Sequence, residues 1–375
     1  MKKIIVNANI VWTITNFRTN LIKHLIDNGY EVICIADKDD FSKEPEAILE
    51  KLNVNLIKVK LSRSGINPIE DLKYWYSLLK IYKSVKPDII LNYTIKPNIY
   101  GTIAASLLNI PTINNIAGLG TLFVKEGLVT KAAKLLYKYS QSKATKIFFQ
   151  NKDDFDLFTI RKLVDRNKCD ILPGSGVDTN RFRPIKQDKT NDKLVFLLIS
   201  RMLWDKGIKE YIEAARIIKK KYSNVEFQLL GFIDMSNKTA ISKAQIDEWT
   251  KEGVVTYLGT SDHVENEILQ VDCIVLPSFY REGTPKTLLE SASMEKPIIT
   301  TNNIGCKDVV DDGVNGYLCK IKDSNDLADK IEKMINLSEE ERNLMGKEGR
   351  KKIINDFDEK IVFKKYLESI KEILG

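Results

Sequence analysis

Two glutamates stand eight residues apart in one stretch of the chain, Arg281-Glu282-Gly283-Thr284-Pro285-Lys286-Thr287-Leu288-Leu289-Glu290. The run before it, 273–278, is apolar and ends in a proline and a serine, which predicts a buried strand. The residues from Lys286 to Met294 have a helical pattern. Glu282 and Gly283 are therefore predicted in the loop at the carboxyl end of a strand, where open α/β sheets bind ligands.

The start of the predicted helix favours an anion. Pro285 suits the first turn, because its missing N–H would have no partner there. The backbone amides around Gly283, Thr284 and Lys286 would face an anion at the positive end of the helix. A carboxylate that accepts from vicinal hydroxyls, beside amides that bind a diphosphate, fits a nucleotide sugar. An ordinary solvated helix start with an acid nearby is the alternative.

Two cations follow a second predicted strand, Leu194–Ser200. Arg201 and Lys206 lie in the loop after it, and Gly207 precedes a predicted helix. Arg offers a fork of donors and Lys a compact charge, and a diphosphate can use both. Cations at one strand end and glutamates at another favour a ligand site over solvated loop charges.

Strand and helix patterns alternate along the 375 residues, which predicts parallel, doubly wound α/β domains. The length favours two of them. A Pro- and Gly-containing polar stretch near 173–192 is interpreted as the linker. We expect an N-terminal domain at 1–180 and a C-terminal domain at 193–355. The predicted strands are 3–9, 31–36, 54–61, 89–93, 112–116, 146–150, 170–172, 194–200, 225–230, 254–258, 273–277, 297–301 and 316–320.

The composition of the chain and the motifs that it lacks disfavour several classes of protein. Apolar runs stay shorter than the ~18 residues of a membrane span, and the first apolar run is interpreted as a strand. Five cysteines without paired spacing argue against disulfides or a zinc site, so we expect a cytoplasmic protein. No Gly-x-Gly-x-x-Gly follows a strand and no Walker lysine motif occurs, which disfavours dehydrogenases and P-loop enzymes. A moderate charge and no recognition motif disfavour nucleic-acid binding.

The net charge of +7 is unevenly distributed. Residues 119–150 contain six lysines and one acid, with leucines and aromatics between them. Such a segment can lie on an anionic membrane surface. An amphipathic helix whose apolar face packs inward is the alternative.

These motifs together resemble the retaining glycosyltransferases of family 4. The C-terminal pieces are Ser-Arg-x5-Gly at 200–207, Pro-Ser-x3-Glu-Gly-x6-Glu at 277–290, Gly259-Thr260, Gly305 and 310–317. The N-terminal pieces are similar to those of enzymes that extend polyprenyl-diphosphate-linked sugars: Ser62-Arg63 with Asn67-Pro68, Lys96-Pro97-Asn98 with Gly101, and Gly118-Leu119-Gly120. The resemblance covers the whole chain. It implies the GT-B fold, two Rossmann-like domains facing each other across a cleft, with the helix at 359–375 packed back on the first domain.

The resemblance also implies roles. Arg201 and Lys206 match donor-diphosphate ligands, Glu290 the carboxylate on the nucleotide ribose, and Glu282 the one on the donor sugar. Gly283, Thr284 and Pro285 complete the donor site in the C-terminal, nucleotide-sugar-binding domain. Catalysis would depend on Glu282, Arg201 and Lys206. The matching acceptor-binding positions in the N-terminal domain are Thr13, Arg63, Lys96, Gly118 and Gly120.

The chain departs from the family in its N-terminal half. The Gly-Gly pair common after the first strand is absent from 9–15, interpreted as a loop, and 92–96 lacks the histidine common after the fourth main strand. His24 and His263 are poor candidates for a catalytic base. A leaving phosphate that takes the acceptor proton in a same-face substitution needs no such base.

The sequence thus predicts a retaining transferase that moves an N-acetylhexosamine or hexose from a UDP-sugar to a polyprenyl-diphosphate-linked sugar. Neither a cofactor nor a metal is expected. Its partners would be the donor, the lipid-linked acceptor and the membrane surface near 119–150, on the cytoplasmic face of the inner membrane. A nucleotide-sugar epimerase and a non-catalytic nucleotide-sugar-binding protein are the alternatives.

Overall fold

The computed structural model describes residues 1–38, 44–62, 67–118, 128–185, 193–235, 237, 239–281 and 283–375, with the backbone alone at 128–133. The chain divides into two compact units. The first comprises Met1–Ser175 and Lys360–Gly375, and the second Gly176–Glu359.

The first unit is built on a seven-stranded sheet whose neighbouring strands are all parallel. Its strands are β1 Lys3–Ile10, β2 Glu31–Asp37, β3 Asn55–Lys58, β4 Ile89–Tyr93, β5 Thr112–Ile116, β6 Lys146–Phe149 and β7 Cys169–Ile171. They are ordered β3-β2-β1-β4-β5-β6-β7. The helices between them are α1 Val11–Asp27, α2 Glu44–Lys51, α3 Pro68–Val85, α4 Thr102–Ser106, α5 Leu128–Lys143 and α6 Lys152–Ile160.

The second unit repeats this plan with six parallel strands, ordered β10-β9-β8-β11-β12-β13. They are β8 Leu194–Ile199, β9 Val225–Leu230, β10 Thr256–Tyr257, β11 Cys273–Leu276, β12 Ile298–Thr301 and β13 Gly316–Cys319. Its helices are α7 Ile208–Lys221, α8 Lys243–Lys251, α9 Val264–Leu269, α10 Lys286–Ser293, α11 Ser324–Asn336 and α12 Glu339–Asp356.

The last helix, α13 Glu359–Leu374, belongs to the first unit from Lys360 onward. Its Tyr366 is fully buried, with its ring 5.0 Å from that of Phe148. The Tyr366 hydroxyl accepts a hydrogen bond from the Asn115 side chain at 3.1 Å. This helix therefore completes the core of a sheet formed more than 200 residues earlier in the chain.

Local chemistry explains where helices begin. Asn67 caps α3, since its side chain accepts from the amides of Ile69 and Glu70 while Pro68 takes the first helical position. Ser338 and Glu341 form a reciprocal capping box at the start of α12. In the described ranges, none of the helices has the length and apolar character needed to cross a bilayer.

The predicted fold class, two doubly wound α/β domains, is confirmed, and each predicted strand is present within a few residues of its expected bounds. Two local expectations were wrong. Residues 9–15 are not a loop: β1 continues to Ile10 and α1 begins at Val11. Nor is the whole of 173–185 a solvated linker, because Val177 and Phe182 are buried in the core of the second unit.

Candidate functional site

The second unit brings the candidate residues together at the point where its strand order reverses. β8 and β11 are neighbours, with β9 on the far side of one and β12 on the far side of the other. The crossovers therefore leave in opposite directions and open a crevice at the carboxyl ends of β8 and β11. Arg201 and Lys206 follow β8, and the segment from Gly283 to Glu290 follows β11.

The loops after β8 and β11 are hydrogen-bonded to each other. The Asp205 carbonyl accepts from the amides of Phe279 at 3.1 Å and Tyr280 at 3.0 Å. The Asn303 side chain, just past β12, donates to the Tyr280 carbonyl at 2.9 Å. Backbone bonds of this kind fix the separation of the two loops before any ligand arrives.

Gly207 lets the two loops approach. It has a φ of +76°, and a Cβ placed there would lie 2.0 Å from the carbonyl oxygen of Pro277. Only glycine tolerates both the left-handed conformation and this contact. Gly207 precedes α7 directly, so it also sets the direction in which that helix leaves the site.

Both predicted cations lie on the exposed side of this junction. Arg201 has 42% of its side chain exposed, and its Nη1 is 3.4 Å from an oxygen of Asp234. The Nζ of Lys206 lies 5.5 Å from the centre of the Tyr280 ring, a cation–π distance. Asp234 is an acid that the sequence did not single out, and an anion binding Arg201 would compete with it.

The helix after β11 begins one residue later than Pro285. Pro285 is extended and precedes α10, whereas we expected it inside the first turn. Its carbonyl accepts from the amide of Leu288 at 3.1 Å. Gly283 and Thr284 are partly exposed. The amino end of α10 therefore adjoins the crevice, and the eight residues of the helix make about two turns.

Glu290 is a buried carboxylate with a cationic partner. It is 5% exposed, and one of its oxygens lies 3.3 Å from the Nζ of Lys286, one turn earlier. Burial raises the pKa of Glu290, and the Lys286 ammonium offsets only part of that rise. Sequence reasoning identified Glu290 but missed the role of Lys286 as its partner.

Two further charged residues adjoin Glu290. Arg181 binds Glu265, at the start of α9, through its Nη2 at 2.8 Å and its Nε at 3.4 Å. α9 packs against α10, and both Arg181 and Glu265 act electrostatically on Glu290. Although burial alone would raise the pKa of Glu265, Arg181 holds it below its ordinary value. Arg181 belongs to the stretch interpreted as a linker, and no sequence pattern connects residues 84 positions apart.

Replacing Lys286 with Met is expected to destabilise the second unit in a pH-dependent way. Glu290 would lose its ion pair while staying buried, which costs about 3 kcal/mol at neutral pH. The loss of stability is present above the pKa of Glu290 and disappears as the pH falls through that pKa, because a protonated carboxyl group needs no cationic partner. Urea unfolding at a series of pH values measures this.

Lys351→Met is the matched control for Lys286→Met. Lys351 pairs with Glu348 on α12 at 3.6 Å, but their side chains are 69% and 40% exposed. Such a surface pair contributes less than about 1 kcal/mol. Equal losses in the free energy of unfolding of both variants at every pH would contradict a stabilising role for the buried Lys286–Glu290 pair.

In the first unit, the described acceptor candidates also lie at a reversal of strand order, between β1 and β4. Thr13 is in the first turn of α1, directly after β1. Lys96 follows β4, and Gly118, with a φ of +93°, follows β5. Lys96 is not a solvated charge: its Nζ is 2.6 Å from an oxygen of the buried Asp71, whose other oxygen accepts from the Tyr100 hydroxyl at 3.0 Å.

A row of buried amides beneath these residues joins three strands. Asn7 of β1 donates to Asn92 of β4 at 3.0 Å, and Asn92 donates to Asn114 of β5 at 3.0 Å. Asn114 in turn donates to Gln141 of α5 at 2.9 Å. Gly101 packs against this row, where a Cβ would lie 2.5 Å from the Asn92 side-chain oxygen. The network fixes the strand ends that carry the candidate residues.

Three predicted site residues, Glu282, Arg63 and Gly120, lie outside the described residues. In the part of the chain that the structure describes, no group of three or more His, Cys, Asp or Glu side chains is arranged to hold a metal ion.

Two family models match the chain. Residues 3–151 match "Glycosyl transferase 4-like" and residues 180–352 match "Glycosyl transferases group 1". These two ranges coincide with the bodies of the two units.

Curated relatives match over most of their length. The chain is 29% identical over 373 residues, 95% of each protein, to the Campylobacter jejuni N,N'-diacetylbacillosaminyl-diphospho-undecaprenol alpha-1,3-N-acetylgalactosaminyltransferase. It is 28% identical over 311 residues, 78% of each, to the Escherichia coli UDP-Gal:alpha-D-GlcNAc-diphosphoundecaprenol alpha-1,3-galactosyltransferase. The Staphylococcus aureus capsular polysaccharide biosynthesis glycosyltransferase CapM is 29% identical over 314 residues, 80% of each.

Solved structures share the fold at lower identity. A glycosyltransferase from Rickettsia africae superposes with a TM-score of 0.79 at 20% identity, covering 100% of this chain and 99% of that one. Anabaena HepE in complex with UDP-glucose superposes with a TM-score of 0.81 at 17% identity, covering 99% and 100%.

Proposed function

Because the chain belongs to the group 1 glycosyltransferases, with a glycosyltransferase 4-like N-terminal half, we propose that it transfers one sugar from a UDP-sugar to a polyprenyl-diphosphate-linked sugar. The sugar is an N-acetylhexosamine or a hexose, transferred with retention and without a metal. The product belongs to a bacterial surface glycan or protein glycan. Two curated relatives are named as transferases to diphospho-undecaprenol-linked sugars, which supports this acceptor class.

The main support for binding of a UDP-sugar donor by the second unit is the crevice between β8 and β11. Arg201 and Lys206 stand on one side of it, the amino end of α10 on the other, and Asp205 bonds the two loops together. This is the arrangement that a nucleoside diphosphate requires: cations and helix amides for the phosphates, and a carboxylate for the ribose hydroxyls. The name of the Escherichia coli relative contains UDP-Gal, which supports uridine as the nucleoside.

Charge stabilisation of the leaving group would provide most of the catalysis. As the bond from the anomeric carbon to the phosphate breaks, negative charge grows on the diphosphate. Arg201, Lys206 and the first amides of α10 would stabilise it. The departing phosphate oxygen takes the proton from the acceptor hydroxyl on the same face of the sugar, so the new bond keeps the anomeric configuration. Glu282 is proposed to hold the donor sugar hydroxyls.

The acceptor is proposed to bind the first unit at the carboxyl ends of β1, β4 and β5. Thr13, Lys96 and Gly118 lie at these ends, and Arg63 and Gly120 are proposed to join them. The Lys96 ammonium would share its charge between Asp71 and the acceptor diphosphate. Since that acceptor is lipid-linked, we place the protein peripherally at the cytoplasmic face of the inner membrane, in contact through the basic segment 119–150. Leu135 and Tyr139 of that segment are 69% and 53% exposed.

UDP affinity is expected to fall as the pH is lowered through the raised pKa of Glu290. The ribose hydroxyls donate to a carboxylate, so the ionised form binds and is populated only above its pKa. Because burial raises that pKa, the loss begins at a higher pH than it would for an ordinary carboxyl. Calorimetry with UDP over a pH series measures it.

Glu290→Gln should weaken UDP binding and remove this part of the pH dependence. Ionisation of UDP itself is common to both proteins and cancels in the comparison. Glu252→Gln is the control, because Glu252 binds Arg216 away from the crevice. A Glu290→Gln profile parallel to the wild-type profile would refute the ribose role.

The fate of the donor separates the proposed function from the alternatives. The protein is incubated with a panel of UDP-sugars, with and without a polyprenyl-diphosphate-linked aminosugar, and the nucleotides are analysed by chromatography. Acceptor-dependent UDP release supports the transferase. Conversion of a UDP-sugar to its epimer without acceptor would identify an epimerase, and binding without conversion in any mixture would identify a sensor.

A further inference from the structure

Helix α3 has large apolar side chains on its outer face as well as its inner face. Tyr74, Leu78 and Tyr82 are buried against the sheet of the first unit. Ile69, Leu72 and Tyr76 are 67%, 61% and 51% exposed. Their spacing of three and four residues places these three on a single outward stripe.

The same stripe is basic. Lys73, Lys80 and Lys83 are exposed and, at 100° per residue, lie within about 40° of the arc that the three apolar residues occupy. The Lys80 Nζ is 4.5 Å from the centre of the Tyr76 ring. Glu70, about 60° beyond Lys73 around the helix, is the one exposed acid of α3. We name the six residues, Ile69, Leu72, Lys73, Tyr76, Lys80 and Lys83, the α3 face.

Helix α5, on the other side of α4 from α3, presents the same chemistry. Leu135 and Tyr139 are exposed, and Lys138 and Lys143 are exposed between and after them. α3 and α5 both pack against α4, so the three helices form one layer on one side of the sheet. Leu107, which ends α4, is 59% exposed in the same layer.

The charge of this region is large for its length. Residues 67–143, from the cap of α3 to the end of α5, contain ten lysines and four acids, a net +6 within a chain of net +7. Apolar and aromatic side chains among lysines match a bilayer interface, where the apolar groups enter the headgroup region and the ammonium groups meet anionic lipids.

We propose that the α3 face, together with the outer side of α5, is the surface by which the protein docks on an anionic lipid bilayer. It extends the contact beyond the basic segment 119–150 to a helix about 60 residues earlier in the chain. It deepens the proposed function, which supplies the reason for a membrane partner, but the binding needs no substrate. Docking through this layer would leave the carboxyl ends of β1, β4 and β5 beside the membrane, where a lipid-linked acceptor resides.

A second helix provides the internal control. On α12, Leu344 and Ile354 are 61% and 45% exposed, and Lys347 and Lys351 are exposed near them. Its other exposed residues include the acids Glu340, Glu341 and Asp356. Exposed leucine, isoleucine and lysine thus occur there too, without the net positive charge that anionic lipids would attract.

The test is flotation of the full chain, without substrates, with vesicles of phosphatidylcholine alone or mixed with phosphatidylglycerol. The wild type should float only with the mixed vesicles. Ile69→Gln with Leu72→Gln and Tyr76→Gln, and separately Lys73→Glu with Lys80→Glu and Lys83→Glu, should each weaken binding at least about tenfold. The α12 variants Leu344→Gln with Ile354→Gln, and Lys347→Glu with Lys351→Glu, should bind as the wild type.

Either of two results would overturn the proposal: no wild-type binding to mixed vesicles, or α3 variants that float like the wild type. If the α3 variants instead abolish a dimer in light scattering while vesicle binding persists, the face is a contact between copies of this chain. Circular dichroism confirms that the variants fold, which is expected because every substituted side chain is either charged or at least 45% exposed. A protein that docks but transfers no sugar would refute the proposed function and leave the docking surface intact.

Discussion

Arg201→Ala is expected to weaken UDP binding by about tenfold to a hundredfold, the usual loss when a hydrogen bond to a charged group is removed. Arg201 is partly exposed at the end of β8, where its guanidinium can leave Asp234 for a phosphate. Turnover should fall further than binding, because charge grows on the diphosphate as the sugar departs. Calorimetry with UDP and initial rates of UDP release measure the two effects.

Arg216→Ala is the matched control for Arg201→Ala. Arg216 is a partly exposed arginine in the same unit, bound to Glu213 and Glu252 on the surface of α7 and beyond α8. Its loss should leave UDP affinity and turnover unchanged. If Arg201→Ala binds UDP as the wild type does, the diphosphate does not lie at the end of β8.

Gly207→Ala is expected to destabilise the second unit by about 3 kcal/mol or more, from a left-handed backbone and a steric overlap together. The added Cβ would meet the Pro277 carbonyl at 2.0 Å, so the loops after β8 and β11 would have to separate. UDP binding should be lost along with stability. The midpoint of urea unfolding and a UDP titration report both.

Gly253→Ala isolates the steric part of this effect. Gly253 has nearly the same φ, +77°, but nothing lies within 4 Å of its Cβ position. Its replacement should cost only the backbone term, about 1 to 2 kcal/mol, and leave UDP binding intact. Equal destabilisation by the two substitutions would mean that the loops can move apart freely.

The sequence predicted the fold well because its signals are local. Short apolar runs rich in Ile, Val and Phe identified most of the strands, and turn residues separated them. The parallel, doubly wound arrangement then followed from the alternation of strands and helices. The solved structures that superpose on the chain confirm the GT-B fold that the motifs implied.

The candidate site was only partly predictable. The positions of Arg201 and Lys206 after β8, and of Glu290 in the helix after β11, followed from local pattern. The pairing of Arg181 with Glu265 joins segments that no periodicity connects, and so does the amide row from Asn7 to Gln141. A polar side chain inside an apolar strand, such as Asn7 or Asn92, was the one signal that such a row existed.

The two units divide inside the predicted linker at 173–192, between Ser175 and Gly176, but the prediction that the whole stretch is a linker was wrong for a related reason. A stretch with Pro, Gly and charged residues is typical of a linker, but Val177 and Phe182 at its centre are buried in the second core. The Arg350 guanidinium also binds the Phe182 carbonyl at 3.2 Å. Composition cannot distinguish a solvated linker from a short segment that packs on a helix far along the chain.

The most direct test of the proposed transfer is the mass of the lipid-linked acceptor after incubation with the protein and each UDP-sugar. We expect a gain of one hexose or N-acetylhexosamine with one donor of the panel, and no gain with the Arg201→Ala protein. An unchanged acceptor mass with every donor, although the same unmodified protein binds UDP in calorimetry, would contradict transfer to a polyprenyl-diphosphate-linked sugar.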